Sequence, residues 1–166
     1  TGVLKTGMGL DFCMSQNVPT HTVGPLGGTP IVSGANQGLI NSGATDNPFA
    51  FSTNLLTSGW TAAAAARLAA GDTFTLAGVF SVNPETKQST GVLQSFVSTA
   101  AVSSDVGGVA TIIISPAIIA GGAYQNVTAR PAASAALVIT SGAANTSYTQ
   151  NLIWHRDAVT FVSPKQ

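Results

Sequence analysis

Near its C-terminal end the chain carries a charged triplet, His155-Arg156-Asp157, inside an otherwise apolar run. The same three residue types open a protein-kinase catalytic loop, where the Asp is the base and an Asn five residues later holds a metal ion. Here the fifth position after Asp157 is Val162, and no glycine-rich phosphate loop followed by a strand lysine is present. The triplet therefore does not predict a kinase site.

Other residues that could do chemistry are few. On a strand, His155 and Asp157 would share a face, either as a base with its orienting carboxylate or as a structural hydrogen-bonded pair. The second interpretation is favoured, because no Gly-x-Ser-x-Gly turn presents a nucleophile. Cys13 lies in an alternating apolar run that favours a core position over a reactive thiol. His21, the other histidine, has no metal-ligand spacing around it. The sequence predicts no enzyme, no metal and no cofactor.

Charge is scarce in this chain: Asp, Glu, Lys and Arg make up 7% of the residues, against ~25% in a typical soluble domain. Six basic and six acidic residues balance, and they form no basic cluster that would bind nucleic-acid phosphates. No apolar run reaches the ~20 residues that cross a bilayer as a helix. The composition thus predicts neither nucleic-acid binding nor a membrane span. An uncharged polar surface suits a crowded assembly, because it removes electrostatic repulsion between neighbours.

The elements that would position any site are mostly strands. Apolar alternation and turn signals predict strands near residues 10–14, 31–32, 49–56, 72–82, 92–102, 109–115 and 135–140. Residues 61–70, an alanine run with Thr61 able to cap it and Gly71 able to end it, predict one short helix. This pattern is typical of an all-β antiparallel sandwich or small barrel with long polar loops.

Two sets of side chains are expected in the core. For the central strands they are Phe74, Leu76, Phe96, Ile112, Ile114 and Val138. For the strand at residues 49–56 they are Phe49, Phe51 and Leu55.

Several stretches, in collinear order, carry a family resemblance. They are residues 18–22 (VPTHT), 31–35 (IVSGA), 70–79 (AGDTFTLAGV), 82–91 (VNPETKQSTG), 94–97 (QSFV), 114–119 (ISPAII), 124–127 (YQNV) and 151–158 (NLIWHRDA). Together they resemble the major coat protein family of the tailed phage P22, over almost the whole chain.

The resemblance implies an insertion domain of such a coat protein, with an Ig-like (telokin-like) antiparallel barrel of about six strands. Residues 1–22 would be an arm from the host coat domain, residues 23–150 the barrel, and residues 151–166 the returning arm. The implied role is structural, on the outer surface of the virion capsid, stabilising the subunit and contributing to assembly in the host cytoplasm. The implied partners are other copies of the coat protein and a scaffolding protein, with no enzymatic activity and no cofactor. Thr1, without a start Met or signal core, likewise indicates a piece of a longer polypeptide.

The resemblance also implies a contact loop between neighbouring capsomers, here residues 36–48. Its candidate contact residues are Asn36, Gln37, Asn41, Asp46 and Asn47. Because Asp46 is its single charge, we expect a polar or apolar contact rather than a charged one.

An inserted chain must leave and re-enter its host at nearly one place, so the two arms are expected to lie side by side. Apolar residues alternate with polar ones around Leu10 and Met14, and strand-like apolar residues recur around Leu152 and Phe161. This pattern predicts that the arms pair as antiparallel strands. A different class of protein stays open: an Ig-like binding module of a phage tail or of a bacterial surface adhesin.

Overall fold

The computed structural model describes residues 2–7, 10–14, 17–37 and 51–151. These residues form strands and no helix. The strands are β1 (Gly2–Gly7), β2 (Leu10–Met14), β3 (Thr20–Thr22), β4 (Gly28–Val32), β5 (Thr53–Trp60), β6 (Ala65–Leu68), β7 (Thr73–Val82), β8 (Ser89–Ser98), β9 (Val102–Ser104), β10 (Ala110–Ser115), β11 (Leu137–Ile139) and β12 (Ser147–Thr149). The chain divides into two compact units, Thr22–Thr146 and the combination of Thr1–His21 with Ser147–Gln166.

The larger unit, Thr22–Thr146, is built on a six-stranded antiparallel sheet with the strand order β11-β7-β8-β10-β5-β4. Its two edge strands meet at the bridge Ile31↔Ala136, beside which the Val32 amide donates to the Ala135 carbonyl at 2.9 Å. The sheet is therefore a nearly closed barrel. A separate two-stranded sheet joins β6 to β9. The predicted all-β antiparallel architecture is confirmed.

The interior of this barrel follows the period of two that strands impose on their side chains. Along β5 and β10 buried and exposed residues alternate. On β7 and β8, Phe74 stands opposite Phe96, with the ring centroids 6.2 Å apart and the planes tilted by 33°. The confirmed core predictions, all at most 1% exposed, are Phe74, Leu76, Phe96, Ile112 and Ile114.

The prediction of Val138 as a core residue is wrong. Val138 is 54% exposed, whereas Leu137 is buried and pairs with Leu76 of β7. Neighbouring strand residues point to opposite faces, so an error of one residue in register exchanges the buried side chain for an exposed one. The apolar pair of Leu137 and Val138 gave no local sign of which residue would face inward.

The predicted helix at residues 61–70 is wrong as well, because β6 occupies Ala65–Leu68 and pairs with β9. A helix would use the carbonyls of Thr61 and Ala63 as acceptors for amides four residues later. Both carbonyls instead accept hydrogen bonds from the Arg67 guanidinium, at 2.7 Å and 3.3 Å. The strand partner on β9 and these side-chain bonds outweigh the helix propensity of alanine, which amounts to only ~1 kcal/mol per residue at most.

The prediction for the strand at residues 49–56 is corrected in part. The strand is β5, which begins at Thr53, and its Leu55 is buried as predicted. Phe51 precedes the strand at a bend and is 89% exposed. Outside the sheet, alternation no longer directs a side chain inward. Phe49 lies outside the described residues.

In the smaller unit, β1 and β2 form an antiparallel hairpin from Gly2↔Met14 to Gly7↔Leu10. A second two-stranded sheet pairs β3 with β12, and the Gln150 amide donates to the Pro19 carbonyl at 2.9 Å. Pairing between the arm around Leu10 and the arm that contains Leu152, Trp154 and Phe161 stays a prediction, because the second arm lies outside the described residues.

Candidate contact site

The predicted contact loop leaves the barrel directly after β4. The Ser33 amide donates to the Leu56 carbonyl at 2.9 Å, which extends the pairing of β4 with β5 by one residue. Gly34 and Asn36 then take left-handed backbone angles, with φ of 91° and 59°. Glycine adopts this region without strain, and asparagine tolerates it better than most other residues. The chain therefore bends away from the sheet within three residues.

The side chain of Gln37 closes this bend. Its amide nitrogen donates to the Ser33 carbonyl at 2.7 Å, and its amide oxygen accepts from the Leu56 amide at 3.3 Å. One half-buried side chain thus joins the start of the loop to β5. We call residues 33–37 the loop base.

Beside the loop base the barrel presents apolar side chains to the outside. Leu56 of β5 is 38% exposed and Ile113 of β10 is 42% exposed. The two are diagonal neighbours on one face, because Thr111 is paired with Leu56 and Ile113 with Asn54. We call Leu56 and Ile113 the outer patch. Such a patch can contact an apolar or neutral polar surface without removing a charge from water.

Two of the five predicted contact residues are in the described part of the chain. Asn36 is exposed at the bend, and Gln37 is the half-buried bridge. Asn41, Asp46 and Asn47 lie outside the described residues, so their part in a contact stays a prediction.

Of the residues weighed for chemistry, His21 is half-buried in β3 and Cys13 belongs to β2. The triplet ending in Asp157 lies outside the described residues. Within residues 2–7, 10–14, 17–37 and 51–151, no three or more His, Cys, Asp or Glu residues are grouped so that they could hold a metal ion. The same residues include no helix of the length and apolar character that would cross a membrane.

Two charged residues that the sequence reasoning did not single out are buried in the barrel unit. Arg67 is 6% exposed and Asp72 is fully buried. The sequence does hold one signal that could have found them: each stands among small residues in a chain in which charged residues make up only 7%. A buried charge is costly unless hydrogen bonds satisfy it, so such an isolated charge is a candidate for a specific bonded role. Their partners could not be read from the sequence, since they lie up to 48 positions away.

A comparison with protein-family models matches residues 5–165 to the P22 coat protein family, described as P22 coat protein - gene protein 5. The chain belongs to this family. Among solved structures it is similar to the CUS-3 coat protein I-domain, with 31% sequence identity and a TM-score of 0.45. That alignment covers 69% of this chain and 96% of the I-domain chain. No curated protein matches the chain.

This chain is therefore part of the P22-like phage coat protein family, and its larger unit is a barrel-like all-β fold. A coat protein has a structural role in the virion capsid and assembles there with further copies of itself. The family points to a structural protein. Of the two classes left open by the sequence, the capsid protein is the one supported, and the tail or adhesin module is not.

Proposed function

We propose that the barrel is the insertion domain of the coat protein. It lies on the outer surface of the capsid, stabilises its coat subunit and contacts a neighbouring capsomer through the loop of residues 36–48. Assembly would take place in the host cytoplasm, with scaffolding protein as a further partner. The barrel would carry no cofactor and would bind neither nucleic acid nor membrane.

The observation that carries this proposal is the loop base. Gln37 ties Ser33 to Leu56, so the loop starts from a fixed point on the barrel rather than from a free tether. A fixed starting point reduces the conformational entropy that a contact between subunits must overcome. The outer patch next to it is uncharged and partly apolar, which agrees with a loop that carries Asp46 as its single charge.

Replacing residues 38–48 by a short glycine-serine linker in the full-length coat protein tests the proposal. The loop base and the buried residues of the described core remain. We therefore expect urea unfolding to show a stability change of less than ~1 kcal/mol, because loop-closure entropy varies slowly with length. Electron microscopy should show fewer closed particles, or particles that open at lower denaturant concentration.

The control places a linker of the same composition at residues 84–86, an exposed turn between β7 and β8. We expect this variant to assemble normally. Normal assembly of the loop variant would contradict the contact proposal. Equal impairment of both variants would contradict it too, because the loss would then not be specific to the loop.

A further inference from the structure

The chain passes into the barrel through residues 23–26, which belong to no strand. Val23 and Gly24 are nevertheless buried. Buried backbone outside a sheet has no strand partners of its own, so its amides and carbonyls must be satisfied elsewhere. We call residues 23–26 the incoming segment.

One side of the incoming segment is bonded to the place where the chain leaves the barrel. The Val23 amide donates to the Thr146 carbonyl at 3.1 Å. In return, the Asn145 amide donates to the Val23 carbonyl at 3.1 Å and to the Gly24 carbonyl at 3.3 Å. Val23, the second residue of the barrel unit, is therefore bonded directly to Thr146, the last residue of that unit.

The other side of the incoming segment is bonded to the two buried charged residues. One carboxylate oxygen of Asp72 accepts from the Gly24 amide at 3.0 Å and from the Ala69 amide at 2.7 Å. Arg67 uses its backbone carbonyl to accept from the Leu26 amide at 2.8 Å. Its guanidinium donates to the Leu26 carbonyl at 3.0 Å.

The remaining guanidinium donors of Arg67 reach the neighbouring chain. They bond the carbonyls of Thr61 and Ala63 and the Ser104 hydroxyl, the last at 2.8 Å. The Ser104 hydroxyl in turn donates to the Ala63 carbonyl at 2.7 Å. The guanidinium is thus fixed on β6, β9 and the bend before β6, and it holds Leu26 from a rigid position.

The backbone of the incoming segment also lies very close to the backbone of residues 67–69 at Gly24. A Cβ atom at this position would lie 2.5 Å from the Arg67 carbonyl oxygen and 2.7 Å from the Ala69 amide nitrogen. Any side chain would therefore push the incoming segment away from β6. The sequence has a glycine at this position, and the bonds to Asp72 and Arg67 require this close approach.

We propose that Asp72 and Arg67 form a clamp that fixes the incoming segment against β6 and so keeps the two ends of the barrel unit together. Hydrogen bonds to charged groups are stronger than those between neutral groups, and burial protects them from competition with water. The clamp is a conformational device of the barrel itself. It does not rest on the proposed contact loop, and each can fail without the other.

Amide hydrogen exchange measured by nuclear magnetic resonance on the full chain tests the clamp. In Asp72→Ala, exchange at Gly24 and Ala69 should accelerate by ~10-fold or more beyond any acceleration at Phe74 in the core, because each amide loses its acceptor. Arg67→Met keeps the aliphatic part of the side chain and removes the guanidinium. In this variant the Leu26 amide keeps its acceptor, the Arg67 carbonyl, but the Leu26 carbonyl loses the guanidinium that fixes it. Exchange at Leu26 should therefore accelerate more than exchange at Phe74, because the incoming segment is held less firmly, and this provides a second route if Asp72→Ala folds poorly.

The matched control is Asp105→Ala. Asp105 also accepts two backbone amides with one carboxylate oxygen, from Gly107 and Val109, both at 2.8 Å, but it is exposed. The control should accelerate exchange in its own turn and leave Gly24 unchanged. Equal acceleration of Gly24 and Phe74 in both clamp variants would overturn the proposal, because the two charges would then support only global stability. Unchanged exchange at Gly24 would overturn it as well.

Discussion

Two segments outside the strands flank β4, and they are held in opposite ways. The incoming segment before β4, in which Val23 and Gly24 are buried, is bonded by two buried charged residues, Asp72 and Arg67. The loop base after β4 is closed by one neutral side chain, Gln37, whose bond to Leu56 is exposed to solvent. The incoming segment and the loop base are separated by Gly27 and the five residues of β4.

This difference shows how a chain with few charged residues can make one segment locally more stable than another. Buried charge-assisted bonds should let the incoming segment open only when the barrel opens. The neutral and partly exposed bonds of Gln37 should let the loop base open locally. A segment that joins the ends of a domain benefits from the first behaviour. A loop that contacts a neighbouring subunit, as proposed for residues 36–48, would benefit from the second.

The largest expected effect comes from Phe96→Ala, which removes the ring opposite Phe74. We expect the free energy of unfolding to fall by ~3–5 kcal/mol, because a buried aromatic side chain is replaced by a cavity. Urea denaturation measures this loss. Exchange at Gly24 should accelerate by the same factor as the core, while exchange at Leu56, governed by local opening, should change less.

The control for this variant is Val92→Ala on the same strand, since Val92 is 65% exposed. It should change the free energy of unfolding by no more than ~0.5 kcal/mol. Equal acceleration at Gly24 and Leu56 in Phe96→Ala would break the comparison, because both segments would then open together with the barrel.

A smaller effect is expected from Gly24→Ala, which tests the close approach without touching either charge. We expect a loss of ~1–3 kcal/mol in the free energy of unfolding, the usual range for overpacking. Gly107→Ala is the matched control, because its Cβ would meet the nearest atom, an Asp105 carboxylate oxygen, at an ordinary 3.4 Å. Equal stability losses in the two variants would show that the incoming segment tolerates displacement.

The smallest effect is expected from Gln37→Ala in the loop base. Losing one half-buried bridging side chain should lower the free energy of unfolding by less than ~1 kcal/mol and accelerate exchange at Leu56. Gln88→Ala, at an exposed glutamine of the barrel unit, serves as the control and should leave exchange at Leu56 unchanged. A loss in Gln37→Ala as large as that of Gly24→Ala would remove the distinction between the two segments.

Much of the barrel could be predicted from the sequence, because strand alternation is a local property. The pattern around Phe74, Leu76 and Phe96 correctly indicated both the strands and their buried faces. Turn chemistry correctly separated β7 from β8, where Asn83 accepts backbone amides of Glu85 and Thr86. Of the contact site, the sequence indicated where the loop begins, but not that Gln37 would bridge back to β5.

By itself the sequence determined the all-β class, the central core and the lack of any catalytic motif, since these follow from residue type and spacing along the chain. Only the tertiary structure decided that an alanine run would be a strand, that Leu137 rather than Val138 would face inward, and that Arg67 and Asp72 would be buried. Each of these depends on partners that are distant in sequence, such as Val102, Leu76 and Gly24. A local pattern carries no information about which distant backbone group will complete a hydrogen bond, and that completion is what makes burying a charge tolerable.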